Sequence, residues 1–571
     1  MDKPWLQEYP PGIPAEIEPT ESSTLRDMLD LSCARFGRLP AFSSMGASLT
    51  YREFDARSRA LACFLQSELH LQKGARIALM LPNLLQYPVA LSAALRIGAT
   101  VVNVNPLYTP RELEHQLRDS GATCIVVLEN FAHTLEQVLS RTSIRAVITT
   151  RVGDLLPRVK GLAVDALLKY VKRAVPSWNI PGAISFPAAL RLGGRRSLEH
   201  VELTRDDVAF LQYTGGTTGV AKGVVLTHGN IVSNIQQLGL WIAGNLRQGE
   251  ETAVIPLPLY HVYALTSSLV FTSIGAHCVL IPNPRDLRSF IAQLRRIRTS
   301  VIIGVNTLYR ALLDAPGFSK VDLSRLKVSA AGGMAVQRAV AERWKKATGV
   351  PIVEGYGLSE SSPVLMSNRL DIQDWTGLIG LPLPSTEAAI LDEQGKPLGP
   401  GEVGEVCVRG PQVMKQYWNR PDETLKVFTA DGWFRTGDMG VADERGYFKI
   451  TDRKKDMIIV SGFKVFPNEI EDVAMLHPDV LEAGAIGVPD PRSGEMVKLF
   501  VVKRHERLTE QDLLQHCRKH LTAYKVPKAV EFRTEPLPKT PIGKILRREL
   551  RPSAAQPAKE PAQPTAAGPS A

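Results

Sequence analysis

Short runs of β-branched and apolar residues recur through the first part of the chain, at 76–80, 100–104, 124–128 and 146–149. Segments with helical spacing, 84–97 and 110–120, lie between them. Parallel strands need long crossovers and antiparallel ones do not, so strands alternating with helices predict a parallel sheet. The rhythm returns at 301–305 and 326–331, with another strand at 350–354. The fold class expected is α/β: a large N-terminal domain of βαβ sheets with a small β-rich subdomain, then a smaller, mobile α+β C-terminal domain.

A chain of 571 residues exceeds one ordinary core, and 44% hydrophobic with 22% charged residues is the balance of a soluble globular enzyme. The domain boundaries expected are 1–452, 453–552 and a disordered tail at 553–571, where the composition collapses to Pro, Ala and Ser. Within the first, glycines and prolines punctuate short alternating runs over 380–450, which reads as the β-rich subdomain. Six cysteines without a CxxC pair indicate neither a zinc site nor a disulfide framework, and point to a reducing cytoplasm. No apolar signal segment is read at the amino terminus, and the longest apolar stretch, 269–281, falls short of the ~20 residues that span a bilayer. The formal charge of +10 favours anionic partners, but no RNA-recognition or zinc-finger pattern supports nucleic acid as one.

The segment 155–196 is the most basic part of the chain, with eight Lys and Arg against the single acid Asp165. Val164, Leu167, Leu168, Val171 and Val175 share one helical face. Such a helix either packs by its apolar stripe or lies on an anionic bilayer, which would place the protein peripherally on the inner face of the cell membrane.

A phosphate loop follows the apolar run 208–213. Tyr213 to Val224 reads YTGGTTGVAKGV, and Gly215, Gly216 and Gly219 with Thr214, Thr217, Thr218 and Lys222 can wrap N–H groups, hydroxyls and one ammonium around a polyphosphate. The common ATPase spacing fails, because Ala221 stands where its last glycine belongs and Gly223, not a hydroxyl, follows Lys222. Farther on, His261 in PLYHV stands past a strand end among aromatic and apolar residues, where a histidine can face a pocket for an apolar substrate. Gly332 and Gly333 follow the strand 326–331 and admit a flat ring close to the backbone. In 355–361, GYGLSES, Tyr356 offers a stacking plane and Glu360 a carboxylate suited to magnesium. Asp438 ends a turn where a carboxylate can bridge ribose hydroxyls, and the charged run 451–456 suggests a solvated hinge.

Six ordered motifs, YTGGTTGVAKGV, PLYHV, EGYGLSE, GWFRTGD, ITDRKKDMIIVSGFKVFPNEIE and KTPIGKILRREL, resemble those of the adenylate-forming acyl-CoA synthetases across essentially the whole chain. The block 431–471 looks most like the bacterial long-chain-fatty-acid-CoA ligases. The resemblance implies two steps. A fatty carboxylate attacks the α-phosphorus of ATP to give acyl-AMP and pyrophosphate, and the CoA thiol then displaces AMP.

ATP, Mg2+ and CoA are thus the implied cofactor and co-substrates, with a fatty acid as the acid. By resemblance Tyr213, Thr214, Gly215, Gly216, Thr217, Thr218, Gly219 and Lys222 serve the phosphates, and Glu360 with Thr217 holds the magnesium. Gly333, Gly355 and Tyr356 surround adenine, Ser359 donates to phosphate, and Asp438 and Arg453 hold ribose. Lys544 is the mobile catalytic lysine, joined by Glu360 and His261. Lys455 marks the pivot of the C-terminal domain, and Ser461, Gly462 and Lys464 line the CoA channel in the second step.

Ser359 departs from the threonine usual at its place, and Leu265 stands where some long-chain members carry a tryptophan gate. Medium-chain or aryl acid-CoA ligases remain alternatives, as does a non-catalytic fatty-acid-binding or import factor. An amino-acid-adenylating domain fits less well, since 256–268 offers no aspartate for an α-amino group. An oligomer is compatible with every one of these readings.

Overall fold

The computed structural model describes residues 2–18, 22–214, 221–540 and 543–551. The chain divides into two compact units, Met1–Lys454 and Lys455–Ala571. The division falls two residues beyond the expected 452, and the local bonding explains why. Arg453 ends the strand Phe448–Arg453 opposite Asp438, and Lys454 donates its amide to the Gly437 carbonyl (3.0 Å) and its ammonium to Glu405 (3.1 Å).

The first unit holds two large, mainly parallel sheets. In one, the strands Arg76–Met80, Thr100–Asn103, Cys124–Leu128 and Ala146–Thr150 run parallel, as the sequence rhythm predicts. Val208–Thr214 joins this sheet beside Thr100–Asn103, and Lys222–Thr227 pairs with it antiparallel. The other sheet runs through His277–Leu280, Thr252–Ile255, Val301–Gly304, Val328–Ala331 and Ile352–Gly357 in parallel, then turns antiparallel through Val364–Ser367.

Helix Gln86–Arg96 is buried along its whole length, which its lack of a polar face allows. Its one charge, Arg96, is matched by Asp30 and by Asp55 (2.5 Å), as a buried guanidinium requires. The Tyr87 hydroxyl on this helix lies 2.6 Å from Asn103 Oδ1 on one sheet and 2.9 Å from the Leu259 carbonyl just past the other. Asn83 adds bonds to the Ile255 and Leu257 carbonyls (3.0 and 2.8 Å). These polar ties lock the ends of the strands that carry the candidate site.

The expected β-rich stretch 380–450 holds an antiparallel four-stranded sheet, Glu387–Leu391, Gly404–Arg409, Phe434–Ala442 and Phe448–Arg453, whose last strand runs three residues past it. The second unit is built on the long antiparallel pair Val480–Asp490 and Gly494–Lys503, extended by the hairpin Ile458–Val460 and Phe463–Val465 and by Ala529–Arg533. Its core gathers Ile470, Ala474, Leu513 and Cys517 from helices Pro467–Met475 and Glu510–His520, the latter opened by a Thr509–Asp512 capping box. The tail 553–571 lies outside the described residues.

The basic segment forms helix Arg158–Ala166, continued by a π turn at Leu167–Val171. Val164 and Leu168 are half-buried, whereas Val159, Leu162, Tyr170 and Val171 stand 84%, 70%, 72% and 72% exposed. The single face expected is therefore split. A π turn adds a residue to the helical repeat and rotates the residues that follow its start, so Val171 faces outward instead of sharing the side of Val164, while Leu167 at its first position is partly exposed.

Candidate active site

Strand Val208–Thr214 carries the chain to the phosphate loop, and Thr214 pairs in register with Lys222 across it. Gly215, Gly216, Thr217, Thr218 and Gly219 lie outside the described residues. Both ends of the loop are anchored. Tyr213 is buried and donates to Asp119 Oδ2 (2.6 Å); Asp119 also receives Arg420 (2.9 Å) and, through its carbonyl, the Trp418 indole (3.0 Å). Lys222 opens the strand Lys222–Thr227, pairs with Glu423 and sits over the Tyr417 ring at 5.2 Å.

The strand end also reaches the histidine motif, since Gln212 donates to the Tyr260 carbonyl (2.8 Å). His261 caps helix Val262–Ser273, its Nδ1 accepting from the Tyr263 amide (3.3 Å). Burial pushes its pKa down to about 4, so the imidazole is neutral near pH 7. Tyr263 lies against Gly332, where an added Cβ would meet its ring at 3.4 Å, and donates to the Ala330 carbonyl (3.3 Å). Thr266 on the same helix donates to the Ser362 carbonyl (2.8 Å), bringing the helix to the turn that holds Glu360. Leu265 is fully buried on this helix.

Strand Ile352–Gly357 delivers Gly355 and Tyr356, and the short turn Ser359–Ser361 delivers Ser359 and Glu360. Gly357 tolerates no side chain, because a Cβ there would stand 1.9 Å from the Pro363 carbonyl. Gly333, past the neighbouring strand, turns at φ +76°. Tyr356 donates to Asp438 Oδ2 (2.6 Å), and Arg453 Nε approaches Asp438 Oδ1 (3.4 Å). Asp438 is only 5% exposed, so its two partners offset the cost of a buried charge. Burial, and then the Asp438 charge, raise the Tyr356 hydroxyl well above its ordinary range, so it stays a donor.

Glu360 accepts from the Tyr417 hydroxyl (2.8 Å). Burial pushes its pKa up, and the Tyr417 bond only partly opposes this. An anion held at such a cost suits a cation. Among the described residues no cluster of three or more His, Cys, Asp or Glu could cage a metal. A single hard carboxylate beside a phosphate loop is instead the donor set of magnesium, which keeps waters and phosphate oxygens as its other ligands. The residues present thus fit that ion.

The first unit therefore brings together Tyr213, Lys222, His261, Gly333, Gly355, Tyr356, Ser359, Glu360, Asp438 and Arg453 through linked contacts of the same sheet ends. Reasoning from sequence passed over Asp119, Tyr263, Tyr417 and Glu423. Tyr263 had a signal, two residues beyond His261; the others lie far from every glycine-rich motif.

Lys455, Ser461, Gly462, Lys464 and Lys544 belong to the second unit. Ser461 and Gly462 form the two-residue turn of a hairpin with φ +50° and +83°, the sign such a turn demands, and Lys464 is exposed on its second strand. Lys544 is held through its backbone. Its carbonyl accepts from the Thr540 amide (2.7 Å), and its amide donates to Thr540 Oγ1 (3.1 Å).

A half-buried acid, a paired buried carboxylate and a glycine-rich segment pinned at both ends thus meet at the sheet ends. A long-chain-fatty-acid--CoA ligase of Escherichia coli O157:H7 is 54% identical over 96% of this chain and 98% of its own length. One of Salmonella typhimurium (strain LT2) is 53% identical over the same shares. The crystal structure of the anthranilate CoA ligase AuaEII in complex with anthranoyl-AMP superposes with a TM-score of 0.81 at 26% identity, covering 94% of this chain and 97% of that one. The AMP-binding enzyme family matches residues 29–418, and its C-terminal domain matches 469–544. With a nucleotide site of this composition on sheets of this order, the chain belongs to the family of AMP-binding enzymes.

Proposed function

We propose that this protein activates long-chain fatty acids to acyl-CoA through an acyl-AMP intermediate, consuming ATP and CoA and releasing AMP and pyrophosphate. The observation that carries the reading is Glu360, a carboxylate kept at an electrostatic cost beside the loop that ends in Lys222. The names of the relatives supply the acid.

In adenylation two anions must meet, so the dominant task is to offset charge with groups already in place. Lys222 and the hydroxyls and amides of residues 214–219 grip the β- and γ-phosphates. Glu360 and Thr217 hold magnesium, which supplies charge neutralisation on the phosphates. Tyr356, Gly333 and Gly355 receive the adenine, and Asp438, held by Tyr356 and Arg453, accepts from the ribose hydroxyls. Ser359 donates to phosphate. His261, neutral and capping its helix, borders the acyl pocket with Tyr263. Lys544 stabilises charge on the carboxylate and α-phosphate in the first step. Ser461, Gly462 and Lys464 line the path of CoA in the second, after the unit that begins at Lys455 turns about that residue.

Chain-length preference follows pocket depth. Each buried methylene contributes ~0.8 kcal/mol, so two carbons change affinity about 10-fold. The test is pyrophosphate release with CoA across saturated acids of increasing length and several aryl acids. Rising kcat/KM toward long chains is expected. A maximum at medium-chain or aryl acids would replace the substrate assignment, and no release with any acid would favour a binding protein.

The exposed face of Val159, Leu162, Tyr170 and Val171 supports peripheral contact with an anionic bilayer, because exposed Arg158, Lys169, Lys172 and Arg173 flank it with the complementary charge. Among the described residues no helix is long and apolar enough to cross a membrane. Contact of this kind would leave the protein on the cytoplasmic face, where its acyl substrate partitions.

A further inference from the structure

The chain from Gln416 to Val427 lies against both charged ends of the phosphate site. Strand Gln416–Tyr417 adds to the sheet edge beside Lys222–Thr227, with Tyr417 opposite Val224, and the Trp418 amide donates to the Gly223 carbonyl (2.7 Å). Thr424 folds the following helix, Pro421–Val427, back onto this strand by accepting from the Tyr417 amide (3.0 Å) and donating to the Arg420 carbonyl (2.9 Å). That fold places two side chains. Tyr417 donates to Glu360, and Glu423 contacts Lys222 through Oε2.

Glu423 has a second cation at hand, since its Oε1 receives Lys426 at 2.6 Å. Losing Lys222 would not strand the carboxylate, because it is one third exposed and keeps the Lys426 pair. Its pKa is pushed down to about 2 by Lys222 and then Lys426, so it is an anion throughout the working range of pH. Lys222 likewise meets a carboxylate where a polyphosphate would bring oxygens of the same charge.

Resting on the reading that Lys222 binds the nucleotide's phosphates, we infer that Glu423 is a resident counter-anion which the polyphosphate displaces from Lys222, while Tyr417 on the same strap keeps Glu360 oriented for the cation. The exchange keeps Lys222 extended toward the loop before nucleotide arrives, so that binding replaces one ion pair with another and orders little. The strap thus tunes nucleotide affinity from outside the glycine-rich motif. Tyr417 acts through Glu360 and is a positioning residue.

The test measures the Kd of α,β-methylene-ATP with magnesium by calorimetry, with neither acid nor CoA present. Removing the competitor in Glu423→Gln should tighten binding about threefold to fivefold, the range of an exposed ion pair. The same substitution on a Lys222→Ala background should change nothing further. Unchanged or looser binding in Glu423→Gln, with Lys222→Ala weakening it, would overturn the exchange and leave the phosphate role of Lys222 standing. No effect of Lys222→Ala would overturn both. For Tyr417→Phe, the magnesium concentration giving half-maximal pyrophosphate release should rise, because the donor that orients Glu360 is lost. If kcat fell with the magnesium dependence unmoved, Tyr417 would be structural only.

Discussion

Two regions of the first unit break the rule of apolar inside and polar outside, in opposite directions. Around the strand ends, Asp438 and the Tyr356 hydroxyl are enclosed, and Glu360 is held against the cost of burial. On helix Arg158–Ala166 and the π turn after it, Val159, Leu162, Tyr170 and Val171 are left in solvent between lysines and arginines. Each exception carries an energetic cost, which at Asp438 the pairing with Tyr356 and Arg453 offsets. On the proposed function, each is complementary to something outside the chain: the cation and ribose hydroxyls of a bound nucleotide in one case, an apolar and anionic surface in the other.

Removing the charged groups assigned to the nucleotide, in either unit, should have the largest effects. Lys544→Ala should lower acyl-AMP formation by at least ~10²-fold, the usual cost of removing one transition-state stabiliser, while sparing thioester formation from supplied acyl-AMP. Equal loss in both half-reactions, measured with isolated acyl-AMP, would remove Lys544 from the first step. Asp438→Ala should raise the KM for ATP about 10-fold, because it removes the ribose acceptor and leaves Tyr356 and Arg453 without their shared partner. Steady-state kinetics over ATP concentration would show it, and an unchanged KM would mean that the buried carboxylate serves packing alone.

The apolar exception should respond to a milder change. Replacing Val159, Leu162, Tyr170 and Val171 together by serine should cut binding to phosphatidylglycerol vesicles at low salt about 5-fold, with no fall in melting temperature, since all four are exposed. A fall in melting temperature without loss of vesicle binding would make the face a packing surface and end the comparison.

An effect on stability and not on binding concerns His228, 1% exposed, whose Nδ1 accepts from the Leu25 amide (3.1 Å). Burial pushes its pKa down to about 4. Its folded pKa is lower than its unfolded value of about 6.5, so below that pH the unfolded chain binds a proton that the folded one refuses. The stability it contributes is therefore complete above about pH 6.5 and lost as pH falls toward the folded value, by roughly 2 kcal/mol at pH 5. Chemical denaturation at the two pH values should show less acid sensitivity in His228→Asn.

Much of the fold was legible because periodicity is local. The strands Arg76–Met80 and Cys124–Leu128 and helix Pro110–Ser120 lie where their spacing places them. The glycines, Glu360 and Asp438 were legible because they sit in motifs dense enough to read alone. Tyr417 and Glu423 were not, because their partners Glu360 and Lys222 lie 57 and 201 positions away and only the strand pairing Gln416–Tyr417 with Lys222–Thr227 joins them. The exposure of Val171 escaped for a different reason: helical projection assumes a constant repeat, and the π turn at Leu167–Val171 changes it.

The phosphate loop connects two antiparallel neighbours in a sheet, Val208–Thr214 and Lys222–Thr227, and among the described residues the next helix begins at His228. The amides of a helix start, which in many nucleotide sites face the phosphates, thus lie at the far end of a strand. On the proposed function, the phosphates are left to the hydroxyls and amides of residues 214–219, to Lys222 and to whatever cation Glu360 retains. Scaffold and grip are consequently separable here: the hairpin's base is pinned by Asp119 and Trp418, so the loop's chemistry can be rewritten without dismantling the sheet that presents it.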